Sequence, residues 1–451
     1  MSEKNIDYGK EPIGKLFSKL FFPTVAGMMF SVLLIITDGI FVGHGLGSDA
    51  LAAINIVAPV WTFGTGIGLM FGMGGSIIAS ISLSQEKREK ASYYMSLALI
   101  VSTLFLLFCS ALILAFPNTS LKLLGCSDSL LPLARLYMFG FVPFTASNAF
   151  LVSSSFFVRL DGAPQYAMIC SITAAIINFV LDYLFIFPLQ FGILGAGVAT
   201  SIGSLIGACM TGFYLIKGKH SLGFQSISFK KTGRKLSHAV KRICTLGFPS
   251  FLGELALGFM MLIGNITFIQ YMGENGVAAF SMACYFFPLI FMLDSAIAQS
   301  AQPIISFNYG IKNQKRIYSA TRLSLITAIA CSIAIFVFTY FFSHEISSLF
   351  IDSKTATHAI ATAGFPLYAI CFVPCAINII SVVYFQSIER SRIALFITIM
   401  RGFIFLGLAF WLMPIWFGAN GIWLAVPAGE LLTNLCVLII VLCSPSTQQG
   451  R

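Results

Sequence analysis

The sequence has little charge. Only 10% of its 451 residues are charged, compared with roughly 25% in soluble domains. Acidic residues are the scarcer kind, with 17 Asp and Glu against 27 Lys and Arg, and no long hydrophilic block separates the apolar stretches. The hydrophobic share of 57% and the mean hydropathy of +0.90 predict one polytopic membrane protein rather than a soluble protein with several domains.

Motifs for catalysis and metal binding are also missing. The 11 Cys lie scattered through apolar stretches, without a CxxC pair or a Cys/His metal spacing. We see no cluster of nucleophile and base and no soluble catalytic loop, so we expect no enzyme activity, no cofactor and no metal site other than one for Na⁺. The polar N-terminus lacks a signal-peptide cleavage pattern.

Twelve apolar runs are long enough to cross the bilayer as helices, which need about 20 residues each. Closed β-barrels are excluded because no alternating pattern appears. The predicted spans are residues 15–42, 50–80, 91–116, 129–157, 165–188, 193–216, 244–271, 276–304, 317–342, 356–387, 393–416 and 421–443.

The loops differ strongly in basic residues. Those on one side of the membrane hold 23 Lys and Arg, those on the other side hold only Lys122, Arg135 and Lys354, and Arg401 lies inside a span. Basic loops stay in the cytoplasm, so we expect both termini inside, in the cytoplasmic membrane. The same distribution accounts for the net charge of +10 without a nucleic-acid partner.

The two halves of the chain resemble each other. "GLGSDALAAI" (45–54) and "YMGENGVAAF" (271–280) lie 226 residues apart, as do Pro23 and Pro249. Several such matches in the same order indicate a duplication. Because six spans form each half, both halves insert with the same orientation. We therefore predict an all-α protein of two six-helix lobes related by a pseudo-twofold axis, 1–216 and 244–451, joined by a basic cytoplasmic linker, 217–243.

Five acids lie well inside predicted spans, where a charged group is costly and by default a candidate for function. They are Asp38, Asp182, Glu254, Asp294 and Glu430. By the predicted topology, Asp38 and Asp182 lie in the outer half of the membrane. Asn178, one helical turn from Asp182, and Thr200 in span 6 reach the same layer.

Two carboxyl groups, an amide oxygen and a hydroxyl suit two tasks. They could coordinate a monovalent cation, or hold a proton between two acids that repel each other when both are charged. A structural hydrogen-bond cluster is the third reading. In the second half, Arg401 is expected to pair with Glu430 or Glu254, either as a structural ion pair or in transport. Together with Asp294 these residues form a second candidate polar site.

Four segments resemble the multidrug and toxic compound extrusion (MATE) family of secondary transporters over nearly the whole chain. They are "TDGIFVGHGLGSDALAAI" (37–54), "RLDGAPQYA" (159–167) with "NFVLDYLFIF" (178–187), "GILGAGVATSIG" (192–203) and "AQPIISFNYG" (301–310). The resemblance implies efflux of cationic or amphiphilic drugs in exchange for H⁺ or Na⁺, by alternating access between two lobes.

Family members of this kind bind the coupling cation in the N-terminal lobe, and the matching positions here are Asp38, Asn178, Asp182 and Thr200. Pro23 matches a span 1 proline whose bending is linked to protonation. Members with a cation site in the other lobe place an acid in span 10, and residues 356–387 contain none. Ser84 also stands where the family usually has Gly.

Three rival functions differ in class. A lipid-linked oligosaccharide flippase of the same superfamily needs a cationic cavity, and only Arg401 is basic inside a span. A membrane enzyme lacks its catalytic motif, and a channel lacks a filter-like repeat. We expect small organic cations as substrates, the bilayer as surroundings and a monomer as the working form.

Overall fold

All regular elements in the described part of the chain are helices. The computed structural model describes residues 6–217, 221–225, 233–350 and 353–443. It forms two compact units, Met1–Glu254 and Leu255–Arg451. The predicted all-α class is confirmed. The predicted basic linker, 217–243, lies partly outside the described residues, and the domain boundaries stay a prediction.

The first unit is built mainly from long apolar helices in chain order. A 3₁₀ turn, Val142–Phe144, joins two of them. The helices are α1 (Ile13–Leu46), α2 (Ser48–Ser84), α3 (Arg88–Ala115), α4 (Pro117–Leu123), α5 (Leu131–Phe141), α6 (Thr145–Leu160), α7 (Pro164–Ile186), α8 (Gly192–Lys217) and the first part of α9 (Gly233–Gly310).

The second unit continues α9 and follows the same plan. A π-helical turn, Met400–Ile404, separates two of its helices. The helices are α10 (Gln314–Phe341), α11 (Ser343–Phe350), α12 (Ala356–Ala369), α13 (Phe372–Ser387), α14 (Ser391–Ile399) and α15 (Phe405–Cys443).

The helices account for twelve membrane spans. Nine continuous helical segments of the described chain are long and apolar enough to cross a membrane, with α5 and α6 counted as one segment and α14 and α15 as another. The bent pair α12 and α13 supplies a tenth span. Two of these helices contain a break, at Gly273 in α9 and at Gly418 in α15. Each therefore represents two spans. The breaks lie between predicted spans, at 272–275 and at 417–420.

The duplication is visible in the backbone. Residues with positive φ recur at a spacing of 226, the spacing found in the sequence. The pairs are Gly47 with Gly273, Glu86 with Lys312, and Gly192 with Gly418. Both halves thus turn at equivalent points between spans.

Glycines on α2 let α6 pack closely against it. A Cβ at Gly68, Gly72 or Gly75 would meet atoms of α6 at 3.0 Å or less. Ser153 on α6 donates a 2.8 Å hydrogen bond to the backbone carbonyl of Gly68. Close backbone approach through small residues is how helices gain contact in lipid, where no hydrophobic effect drives them together.

Gly273 generates the first prediction. Its φ of 66° and ψ of −161° lie in a region that only glycine adopts without strain. Gly273→Ala should destabilise the protein by about 1–3 kcal/mol, seen as a lower unfolding temperature in detergent.

Gly258, on the helical part of α9, is the matched control. A Cβ there meets no atom within 4 Å, and Ala is the better helix former by up to about 1 kcal/mol. Gly258→Ala should therefore leave stability unchanged or raise it. Equal losses in both variants would contradict the assigned break.

Candidate functional site

Four polar side chains of the first unit meet where α1, α7 and α8 pack together. Asp38 comes from the last third of α1, Asn178 and Asp182 from α7, and Thr200 from α8. The spacing of four residues places Asn178 and Asp182 on one face of α7. These are the four residues predicted to share one layer.

Glycines let these three helices pack closely against one another. A Cβ at Gly203 on α8 would lie 2.5 Å from the carbonyl oxygen of Ala174 and 3.0 Å from Cβ of Asn178. A Cβ at Gly45 on α1 would overlap the side chain of Ile186 at the end of α7. The polar residues can thus reach each other across backbones that nearly touch.

The amide of Asn178 links the two sides of the cluster. Its Nδ2 donates a 2.7 Å hydrogen bond to Oδ2 of Asp182 and lies 3.3 Å from Oγ1 of Thr200. Thr200 itself donates to the carbonyl oxygen of Ala196, one turn earlier. Asn178 therefore fixes the position of the Asp182 carboxyl group against α8.

The carboxyl groups of Asp38 and Asp182 face each other at hydrogen-bonding range. Asp182 is fully buried, and each residue keeps a buried Oδ1 without a hydrogen-bond partner in the described chain. Two ionised carboxylates repel each other strongly at low dielectric. Two charged carboxylates would therefore repel each other here, which is the arrangement predicted to hold a proton or a cation.

Tyr137 is a neighbour that the sequence analysis missed. It lies on α5, is 7% exposed and interacts electrostatically with both Asp38 and Asp182. The depth argument that selected the acids applies to it as well, because it follows the predicted outer start of span 4 by two helical turns.

The arrangement offers hard oxygen ligands and no cluster for a heavier metal. In the described chain, no group of three or more His, Cys, Asp and Glu residues could hold a metal ion. The binding of H⁺ or Na⁺ by these two carboxyl groups, the amide and the hydroxyl stays a prediction. Pro23 is buried inside α1, and the helix continues through it.

The second candidate polar site contains a buried ion pair. Arg401, in the π-helical turn, pairs with Glu430 on α15 at 2.7 Å, with both side chains nearly buried. Its Nε lies 3.1 and 3.2 Å from the two carboxylate oxygens. Asn378 on α13, which the sequence analysis did not select, donates a 2.7 Å hydrogen bond to the same carboxylate. Of the two predicted partners, Arg401 is thus paired with Glu430.

Of the other two acids of this set, Asp294 interacts electrostatically with both members of that ion pair. Glu254 is 8% exposed and belongs to the first unit. Asp294 on α9 is fully buried and has a contact of 3.5 Å with Ser332 on α10. The functional roles of all these residues stay predictions.

Known proteins resemble this chain over almost its whole length. Multidrug export protein MepA of Staphylococcus aureus strain N315 is 24% identical over 443 residues, which cover 96% of this chain and 94% of MepA. A homologue from Staphylococcus saprophyticus, also a MepA, is 22% identical over 423 residues.

Solved structures share the fold. An outward-facing MATE transporter of the MOP superfamily matches with a TM-score of 0.89 at 22% identity, covering 97% of both chains. The Vibrio cholerae MATE transporter VcmN, solved as a mutant, matches with a TM-score of 0.87 at 19% identity, covering 95% of both chains.

The family comparison detects both halves of the chain. The family model described as MatE matches residues 23–184 and again residues 249–411. The two matches begin at Pro23 and Pro249, the prolines that define the repeat in the sequence. The predicted resemblance is confirmed, and the chain belongs to the MatE family.

Proposed function

We propose that this protein is a secondary active multidrug efflux transporter, which exports cationic or amphiphilic organic compounds in exchange for H⁺ or Na⁺. The pair of carboxyl groups formed by Asp38 and Asp182 carries this proposal. Their uncompensated negative charge inside the membrane provides a site where a coupling ion gains binding energy.

The coupling ion would act on helix packing. Asp38 belongs to α1 and Asp182 to α7, so a proton or Na⁺ that joins their carboxyl groups draws these helices together. Loss of the ion restores the repulsion between the two charges. A ligand shifts a conformational equilibrium only by its different affinity for the two conformations. Here the coupling ion would bind more tightly to the conformation in which the two carboxyl groups lie closer together.

The charge of the second unit favours organic cations over anionic lipid-linked substrates. Arg401 is the Lys or Arg residue that lies deepest inside a predicted span, and Glu430 neutralises it through a bidentate contact. A flippase for pyrophosphate-linked sugars would need free positive charge. The name of the relative MepA, a multidrug export protein, agrees with the proposed substrate class.

Transport would run outwards across the cytoplasmic membrane. The loop charges favour cytoplasmic termini, which places the α1–α7–α8 site in the outer half of the bilayer. The coupling ion would enter the site from outside, as the substrate leaves.

Replacing either carboxyl group by an amide should abolish coupling. Asp38→Asn and Asp182→Asn remove one charge each without changing side-chain size, so no bound ion is needed to balance the site. We expect gradient-driven uptake of a cationic dye into inside-out vesicles to fall at least tenfold, with normal amounts of protein in the membrane. A pH gradient and a Na⁺ gradient are imposed separately to identify the ion.

Asp128→Asn is the matched control, because the Asp128 side chain is 88% exposed and should leave transport unchanged. Full transport by both Asp38→Asn and Asp182→Asn under either gradient would refute the proposed site.

A third prediction concerns the packing that supports the site. Gly203→Ala places a methyl group against the backbone of Ala174 and against Asn178, which forces α8 away from α7. We expect coupled dye transport to fall several-fold. Gly212→Ala on the same helix has 3.5 Å to its nearest neighbour, the ring of Phe150, and should transport like the parent protein. Indistinguishable transport by the two variants would show that the close approach of α7 and α8 is unnecessary.

A further inference from the structure

Asp294 is a buried carboxyl group that the Asp38–Asp182 site does not use. It lies within a membrane span of α9, is 0% exposed, and its Oδ2 has no hydrogen-bond partner in the described chain. Its Oδ1 has one contact, 3.5 Å from Oγ of Ser332 on α10, which is at the upper limit for a hydrogen bond. A group of this kind is expensive to bury.

The ion pair near Asp294 does not compensate it. Arg401 and Glu430 are the charged groups that act on Asp294, and they satisfy each other through three nitrogen–oxygen contacts of 2.7–3.2 Å. The other titratable groups nearby are thiols, those of Cys331, Cys371 and Cys375. With the ion pair neutral as a whole, an ionised Asp294 would be a surplus negative charge.

Aromatic rings precede Asp294 on its own helix. Phe291 and Phe287 lie one and two turns earlier, with ring centroids 6.5 Å apart, and Phe287 packs edge-on against Tyr368 at 6.0 Å. The guanidinium of Arg401 already lies 6.0 Å from the centre of the Phe291 ring. Aromatic faces attract cations, and most strongly where water is excluded.

We propose that Asp294 anchors a second site, in the second unit, for the positively charged group of an organic cation, and that it gives up a proton when this ligand binds. This inference rests on the proposed function. In the exchange the carboxylic acid releases H⁺ to water and the carboxylate attracts the ligand's charge, so that no covalent bond to the ligand forms. The site is electrically neutral before and after the exchange.

An organic cation fits these surroundings better than a metal ion. Na⁺ and other hard cations require several oxygen ligands. At Asp294 the structure supplies one hydroxyl, from Ser332, with thiols nearby and the ring of Phe291 one turn away on the same helix. A large cation with its charge spread over apolar groups needs only one countercharge and an apolar wall.

The test counts the protons that the protein releases when it binds a permanent cation. The purified full-length chain carries Asp38→Asn and Asp182→Asn, so that the first site contributes no protons, and is titrated with tetraphenylphosphonium. Calorimetry at one pH in buffers of different ionisation enthalpy gives the number of protons released. We expect about one proton per bound ligand. Adding Asp294→Asn should abolish that release and weaken binding at least tenfold.

A second measurement does not depend on how Asp294→Asn folds. In the Asp38→Asn and Asp182→Asn background, the affinity for tetraphenylphosphonium should rise with pH. The rise should approach tenfold per pH unit in the range where Asp294 is protonated in the free protein and must lose its proton to bind the ligand. An affinity independent of pH, or unchanged affinity and proton release after Asp294→Asn, would overturn the inference. Its failure is separate from failure of the proposed coupling site, which appears as gradient-driven transport retained by Asp38→Asn and Asp182→Asn.

Discussion

The cost of a charge in lipid is the constraint on which this structure depends. A buried ion must be neutralised by an opposite charge, by a proton or by a bound ligand. The chain shows the first solution directly, and we propose the other two for its unpaired buried acids. Arg401 and Glu430 neutralise each other, whereas the carboxyl groups of Asp38 and Asp182 face each other with no basic residue between them. The first arrangement needs no further ion. The second has no basic partner for its two acids, and the proposed coupling site uses that property.

The duplicated fold supports different chemistry in its two halves. Backbone turns recur 226 residues apart, yet the same spacing places Gly264 opposite Asp38 and Val426 opposite Thr200. The polar groups of the second unit come instead from α9, α13, the π-helical turn and α15. A π-helical turn inserts an extra residue and often marks a functional position, and here it contains Arg401. The repeat therefore supplies a common scaffold, on which the two halves carry different polar residues.

Much of the fold could be predicted because long apolar runs and their breaks are strong signals. The breaks at Gly273 and Gly418 lie where glycine and polar residues interrupt the hydropathy. The short helices α4 and α11 were not predicted, because seven or eight residues are too few to produce a signal over a membrane-length window.

The part of the site that depends on depth in the membrane could be predicted from the sequence. Asp38, Asn178, Asp182 and Thr200 were selected by their height in the membrane, and the structure brings them together. Height says nothing about which way a side chain faces around its helix. The sequence therefore left two acids, Glu430 and Glu254, as possible partners of Arg401. It also gave no sign that Asn378 would donate a hydrogen bond to Glu430.

The central claim is that Asp38 and Asp182 hold one exchangeable proton or cation between them. Infrared difference spectroscopy between low and high pH observes the C=O stretch of protonated carboxyl groups directly. The account predicts such a band in the parent protein. Asp182→Asn should remove or shift this band, whereas Asp294→Asn should leave it in place. If Na⁺ is the coupling ion, a high Na⁺ concentration should suppress the band. Identical spectra for the parent protein, Asp38→Asn and Asp182→Asn would contradict the account.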